Sequence, residues 1–174
     1  LIYTSTPWRG LDVVIEAFKL LNRTDVELDI YSSTKIYGPA FEKITEGQFD
    51  WVFDLAKNTP GVNYLGYATN EIVRESVRNS HIFAYPSTFE ETSCISAIEA
   101  LTAGCNVVTT NLGALPETCG DWATYVPHGP NRQVLAARYA VALNGVINNY
   151  WTNENQSHIQ KQSEHYNKFW TWDK

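Results

Sequence analysis

The 174-residue sequence contains no methionine and no long hydrophobic run, and it has only three cysteines. No apolar stretch approaches the ~20 residues that a membrane-spanning helix needs, and no secretion-type signal opens the chain. The cysteines at 94, 105 and 119 form neither an even disulfide set nor a C-x-x-C metal pair. These absences predict a soluble domain without a transmembrane segment in a reducing, cytoplasmic setting. Peripheral association of a longer parent protein with a membrane stays open.

Positive charge is also scarce, because 13 Lys and Arg stand against 19 Asp and Glu, a net charge of −6. No basic cluster interleaves with aromatic residues, so the electrostatic footprint of a nucleic-acid-binding protein is missing. Neither G-x-G-x-x-G after the first predicted strand nor a G-x-x-x-x-G-K-[ST] loop occurs, which removes the main support for dinucleotide oxidoreductases and phosphate-loop NTPases. The four histidines are scattered without ligand spacing, so we predict no metal site and no cofactor.

What is present is an alternation of apolar strand-like runs with segments of helical periodicity. The predicted strands cover residues 1–3, 26–33, 62–67, 81–87, 105–110 and 122–126, and the helices cover 14–21, 49–57, 72–77, 93–103 and 134–147. The connections are too long for hairpins, which favours an α/β fold with a doubly wound, parallel, six-stranded Rossmann-like sheet. We expect this domain over 1–148, with a C-terminal helical extension over 149–174, where aromatic residues punctuate a polar sequence. The segments 34–47 and 111–117 are expected to be irregular.

Three loops are predicted to lie at the carboxyl ends of the strands, where open parallel sheets bind ligands. They are STPWRG at 5–10, LGYATN at 65–70 and STFEETSC at 87–94. Ser5, Thr6, Arg9 and Gly10 suit a diphosphate, because hydroxyls, backbone N–H groups and a planar guanidinium all bind phosphate oxygens. A surface arginine beside a helix cap is the alternative.

The third loop leads into a predicted helix, whose first residues, Thr92 to Ile95, offer N–H groups to an anion. Ser93 acting only as the helix N-cap is the alternative. Cys94 at a helix start could have a lowered pKa, but no neighbouring histidine supports a catalytic pair. Glu91 and Glu99, with seven residues between them, are by pattern alone more typical of a solvated face.

Taken together, these segments resemble the C-terminal domain of GT-B glycosyltransferases, in particular the retaining family 4. The resemblance runs from YTSTPWRGLDVVIEAF at the start of the chain to FWTWDK at its end. It is most specific in the block AYPSTFEETSCISAIEALTAGCNVVTTNLGALPE, where the family's residues fall in its order and spacing.

The resemblance implies a site for a nucleotide diphosphate sugar. Glu99 looks like the residue that binds the ribose, and Glu91 like the one that contacts hydroxyls of the transferred sugar. Backbone N–H groups of Ser93 to Ile95 would bind the diphosphate, Tyr67 and Ala68 would wall the base, and Arg9 would neutralise the leaving diphosphate. The resemblance also implies a reaction that retains configuration, in which the diphosphate helps to take the acceptor's proton.

Two departures from the family pattern bear on activity. The earlier arginine of the first loop is missing, since Ser5 and Thr6 occupy that neighbourhood, and Thr92 and Cys94 replace glycines. From the resemblance we expect the donor-binding half of a hexosyltransferase that is inactive alone, because an N-terminal acceptor-binding domain would precede Leu1. The alternative is a non-catalytic binding or scaffolding module derived from such a domain. A third hypothesis, a sugar-nucleotide epimerase of related fold, has less support, because none of the histidines lies in a recognisable motif.

Overall fold

A computed structural model describes residues 1–169, which form an α/β domain around one six-stranded sheet. The strands are β1 Ile2–Thr4, β2 Leu28–Tyr31, β3 Val62–Tyr64, β4 Ile82–Tyr85, β5 Asn106–Thr110 and β6 Ala123–Val126. Their order is β3-β2-β1-β4-β5-β6, and every pairing is parallel. The predicted doubly wound parallel sheet is confirmed, and its winding direction reverses between β1 and β4, where such sheets bind ligands.

Eight helices are present within residues 1–169. They are α1 Leu11–Leu21, α2 Pro39–Ile44, α3 Asp50–Lys57, α4 Asn70–Arg78, α5 Ile95–Ala103, α6 Leu115–Cys119, α7 Arg132–Asn149 and α8 Asn153–Phe169. The short helices α2 and α6 lie in segments expected to be irregular, so that expectation was wrong. Both have proline in their first turn, where its missing N–H costs nothing and its fixed φ suits a helix.

The core lies on both faces of the central strands, because β1, β4 and β5 are buried along their whole length. Parallel strands covered on both faces are continuous apolar runs rather than alternating ones. On one side α1 lies against α3 and α7, and on the other α5 lies against α4, α6 and α8. These two helical layers leave the carboxyl ends of the strands uncovered.

The predicted C-terminal extension contains α8, which packs against α5 and the start of β5. The Gln162 side chain donates to the carbonyls of Leu101 and Cys105 at 3.0 and 2.9 Å, and the Tyr166 hydroxyl donates to that of Thr118 at 2.7 Å. Residues 170–174 of the predicted extension lie outside the described residues, and the boundary at 148 stays a prediction. Among the helices of residues 1–169, none has the length and apolar character needed to cross a bilayer.

Candidate functional site

A cleft of about 550 Å³ opens at the carboxyl ends of β1 to β4. Its walls come from residues 4–9, 31–37, 66–73 and 93–99, so all three predicted loops meet there. The predicted site residues that line it are Ser5, Thr6, Arg9, Tyr67, Ala68, Ser93, Cys94, Ile95 and Glu99. Gly10, Glu91 and Thr92 do not line it. The loop after β2 was not singled out from the sequence.

Gly10 fixes the first loop against the loop that follows β4. Its φ is +99°, and a Cβ atom at this position would lie 2.2 Å from the Pro86 carbonyl oxygen. Only glycine allows such an approach in this backbone conformation. Trp8, two residues earlier, packs against the rings of Tyr37 and Phe49. The loop that carries Arg9 is therefore held from both sides.

Arg9 and Glu91 form an ion pair beside the cleft, with Tyr85 as a third member. The Arg9 Nη1 atom lies 3.1 and 3.2 Å from the two carboxylate oxygens of Glu91, and the Tyr85 hydroxyl donates to one of them. The Phe89 ring covers the guanidinium at 4.8 Å. Glu91 is 6% exposed, so its carboxylate is held by charge and hydrogen bonding rather than by water.

Protonation in this cluster follows from burial and charge. Burial lowers the pKa of Arg9, but Tyr85 and Glu91 outweigh it and the pKa is raised overall. Burial is also the largest cause that raises the pKa of Tyr85. Arg9 therefore stays a cation and Tyr85 a neutral donor at physiological pH.

The Glu91 backbone is positioned by the loop that follows β5. The Ala114 N–H donates to the Glu91 carbonyl at 2.8 Å. Gly113 has a φ of +57°, and a Cβ atom there would lie 2.6 Å from the Glu91 nitrogen. The two loops thus touch backbone to backbone, which fixes the Glu91 backbone beside the cleft.

Glu99 lies on α5 and is bound by a residue that the sequence did not indicate. The Arg74 Nε atom, on α4, donates to the Glu99 Oε1 atom at 2.8 Å. This pair is partly exposed, with Glu99 on the cleft. No local spacing signals the pair, because its members belong to different helices.

Three buried polar atoms on the cleft lack a hydrogen-bond partner within residues 1–169. They are Thr6 Oγ1, Arg9 Nε and Ser32 Oγ. Buried polar side-chain atoms in native proteins are nearly always paired, since leaving one unpaired costs about 1–3 kcal/mol. All three atoms can donate a hydrogen bond, so their convergence makes this cleft the candidate site for a ligand rich in hydrogen-bond acceptors.

The start of α5 bears on two alternatives that the sequence left open. The helix begins at Ile95 with Cys94 at the N-cap position, and no side chain caps it, so Ser93 as the N-cap was wrong. Burial raises the pKa of the Cys94 thiol, which argues against the lowered pKa that a helix start could cause and agrees with a small residue that fits a tight turn. The thiol is a small buried group in the cleft wall. Within the described part of the chain, His, Cys, Asp and Glu side chains form no group of three or more that could hold a metal ion.

The chain has a Rossmann-like fold with a cleft at the carboxyl ends of its strands. The family model described as glycosyl transferases group 1 matches residues 4–164, so the chain belongs to this family. No curated protein matches its sequence.

Several solved structures have the same fold. The HepE protein of Anabaena in complex with UDP is 17% identical, with a TM-score of 0.71 over 96% of this chain. The pneumococcal O-GlcNAc transferase GtfA, in complex with UDP and GlcNAc, is 16% identical, with a TM-score of 0.68 over 95%. The UDP-forming α,α-trehalose-phosphate synthase of Burkholderia vietnamiensis is 12% identical, with a TM-score of 0.69 over 96%. The chain spans 43%, 32% and 41% of the lengths of these three proteins, respectively.

Proposed function

We propose that this chain is the donor-binding, C-terminal half of a retaining GT-B glycosyltransferase of family 4. It binds a nucleotide diphosphate sugar, from which the complete enzyme moves a hexosyl group to an acceptor. The observation that carries this proposal is the convergence of three unpaired buried polar atoms on one cleft at the reversal point of the sheet. UDP-sugars are the first donors to test, because two of the similar structures hold UDP, and GDP-sugars are the second.

The diphosphate is assigned to the side of the cleft formed by the first loop and the start of α5. Arg9 already uses Nη1 to bind Glu91, while its Nε and the Thr6 hydroxyl have no partner within residues 1–169. These donors, with N–H groups of the first turn of α5, match the oxygens of a diphosphate. The cleft volume of about 550 Å³ lies within the ~300–1,000 Å³ typical of ligand pockets.

The nucleoside is assigned to the part of the cleft between Glu99, further along α5, and the loop that follows β3. Glu99 accepts hydrogen bonds from the ribose hydroxyls while Arg74 binds its Oε1 atom. Tyr67, which is largely exposed over the cleft, and Ala68 form the wall beside the base.

In the proposed reaction, the bond between the anomeric carbon and the diphosphate oxygen breaks as the acceptor oxygen attacks from the same face. The acceptor's proton passes to the departing diphosphate, so charge and atoms balance. Negative charge grows on the diphosphate, and Arg9 and the α5 N–H groups stabilise that charge more in the transition state than in the ground state. Glu91, held by Arg9 and Tyr85, is proposed to contact hydroxyls of the transferred sugar.

The acceptor site is assigned to an N-terminal domain of the parent chain, so the isolated domain should bind donor without transferring it. The parent enzyme is placed in the cytoplasm, because a reducing compartment suits three free, buried thiols. The alternative, a non-catalytic binding or scaffolding module, rests on Arg9 as the lone arginine of the first loop. Turnover by the parent protein that disappears in Arg9→Ala would exclude this alternative.

Calorimetric titration of the 174-residue chain with UDP, GDP, ADP and their sugar conjugates tests donor binding. Glu99→Ala should weaken the tightest ligand about 10- to 100-fold, since hydrogen bonds to a charged group contribute about 1.5–3 kcal/mol. Glu75→Ala is the matched control, because Glu75 forms an exposed ion pair with Arg78 away from the cleft. Failure of every nucleotide to bind, or equal affinities for Glu99→Ala and Glu75→Ala, would refute the proposal.

A further inference from the structure

We infer that Ser32 selects the nucleobase of the donor through a hydrogen bond between its hydroxyl and a polar edge of the base. This inference rests on the proposed function and adds a specificity-determining residue to the same site. Ser32 directly follows β2, is 2% exposed and lines the cleft. Its hydroxyl has no partner within residues 1–169.

The Ser32 backbone is held in place, so the position of its hydroxyl is defined. The Tyr64 hydroxyl donates to the Ser32 carbonyl at 2.9 Å, and the Tyr64 ring stacks on Phe53 at 5.3 Å. Burial raises the pKa of Tyr64 to about 12, so this donor keeps its proton at neutral pH. The carbonyl is therefore engaged, whereas the side-chain hydroxyl has no partner within residues 1–169.

Neighbouring hydroxyls on the same loop are already in use. The Tyr31 hydroxyl is hydrogen-bonded to Ser76 Oγ at 2.7 Å. The Ser33 hydroxyl accepts from the backbone N–H of Lys35 at 3.1 Å. Among residues 31 to 33, Ser32 alone thus presents an unpaired hydroxyl to the cleft.

The strand order places Ser32 on the nucleoside side of the cleft. β2 lies between β1, whose loop carries Thr6 and Arg9, and β3, whose loop spans residues 66–70. Adjacent strands are about 4.8 Å apart. A nucleotide with its diphosphate at Arg9 therefore extends across Ser32 as it reaches the β3 loop. Ser32 consequently lies one strand away from the diphosphate, where the base of the nucleotide passes over β2.

A buried hydroxyl distinguishes bases because it needs a partner of the right kind. It can donate to a carbonyl oxygen or ring nitrogen and accept from an N–H group. A base that offers neither at this point leaves the hydroxyl unpaired, and such mismatches are how polar sites reject close analogues. A base-binding site formed by backbone groups alone has no such hydroxyl.

The test is calorimetric titration of the 174-residue chain with UDP, CDP, GDP and ADP. For Ser32→Ala we expect the affinity for the tightest-binding nucleotide to fall about 10-fold and that for the weakest-binding one less than about 3-fold. The difference in affinity between the nucleotides therefore becomes smaller. Thr6→Val is the matched control, because its unpaired hydroxyl lies on the diphosphate side and should weaken all four nucleotides alike. Ser33→Ala, whose hydroxyl binds its own loop, should leave the preference unchanged.

Several outcomes would overturn the inference. They are equal binding of the four nucleotides by the unaltered chain, a uniform loss in Ser32→Ala, and no loss at all. Nucleotide binding that persists in any of these cases leaves the proposed function standing. Absence of binding by all four nucleotides would overturn both. Thermal unfolding of Ser32→Ala shows whether the variant is folded, and we expect a Tm no lower than that of the unaltered chain.

Discussion

Replacing Thr6 by valine should stabilise the ligand-free domain and weaken its binding of nucleotides. Thr6 is 5% exposed, and its Oγ1 atom is buried without a partner within residues 1–169. Valine has nearly the same shape, so the substitution removes the hydroxyl and leaves the packing of the first loop intact. Thr6 precedes the turn Pro7–Arg9 with extended backbone angles, and its side chain does not cap that turn.

The magnitude follows from the energetics of an unpaired group. A buried hydroxyl without a hydrogen bond costs about 1–3 kcal/mol, so its removal should raise the free energy of unfolding by about 1 kcal/mol after local relaxation. For a domain of this size that corresponds to a Tm increase of about 2–4 °C. With nucleotide bound, the lost hydrogen bond to a charged diphosphate is worth about 1.5–3 kcal/mol, so the Kd should rise about 10- to 100-fold.

Thr110→Val provides the matched control for this measurement. Thr110 is fully buried, and its hydroxyl donates to the Ser87 carbonyl at 2.7 Å. The same substitution there breaks a hydrogen bond and leaves a carbonyl unpaired, so it should destabilise the domain by about 1–3 kcal/mol. Urea unfolding of both variants, without ligand and at saturating UDP, measures the two effects.

Opposite signs of the stability change are the expected result. A Thr6→Val variant that loses as much stability as Thr110→Val would show that the Thr6 hydroxyl has a structural partner in the free domain. Unchanged UDP affinity in a stabilised Thr6→Val variant would refute the assignment of Thr6 to the diphosphate.

The remaining predictions concern the first loop, the ion-pair cluster and the thiols. Gly10→Ala should lower the free energy of unfolding, measured in urea, by about 2–5 kcal/mol. The added Cβ atom clashes with a backbone carbonyl, and alanine is also strained at a positive φ. Gly104→Ala, with similar backbone angles but only a side-chain methyl group, Ile159 Cγ2, at 3.3 Å from the added Cβ atom, should cost about 1–2 kcal/mol. Tyr85→Phe should cost about 1.5–3 kcal/mol by the same assay, since Glu91 loses a donor. Burial raises the pKa of Cys105 from 9.0 to about 12, so iodoacetamide at about pH 8.5 should modify it only in denaturant.

The raised pKa of Cys105 also determines how the stability of the domain changes with pH. The folded state holds the Cys105 proton more tightly than the unfolded chain does, so this contribution to stability is complete below pH 9.0 and is lost as the pH rises towards about 12. Rapid alkylation of the native protein would contradict the burial of Cys105. Equal losses for the two glycine variants would contradict the Pro86 contact, and a loss below about 0.5 kcal/mol in Tyr85→Phe would contradict its bond to Glu91.

The elements that could be predicted are those with a strong local signal. The runs at β4 and β5 are apolar because both faces of a central parallel strand are covered. The missed helices α2 and α6 span only six and five residues, too few for an apolar periodicity to develop. A proline in the first turn was the one signal that each offered.

The site residues likewise divide into those that a local sequence signal predicts and those that it does not. The loops at 5–10 and 65–70 were predictable, because any loop that follows a parallel strand lies at the binding edge of the sheet. Ser32 was missed, since a serine at the end of a strand is a common turn residue. Arg74 and Tyr85 were missed because their partners, Glu99 and Glu91, are brought to them by the fold.

By itself the sequence determined the order of strands and helices, and therefore which loops share one edge of the sheet. That much follows from local periodicity and from the right-handed crossovers that parallel strands require. Only the tertiary structure decided that Glu91 is buried against Arg9 and that the hydroxyls of Thr6 and Ser32 find no partner among the described residues 1–169. Burial and pairing of a polar atom depend on residues far away in the chain, so no local pattern contains them.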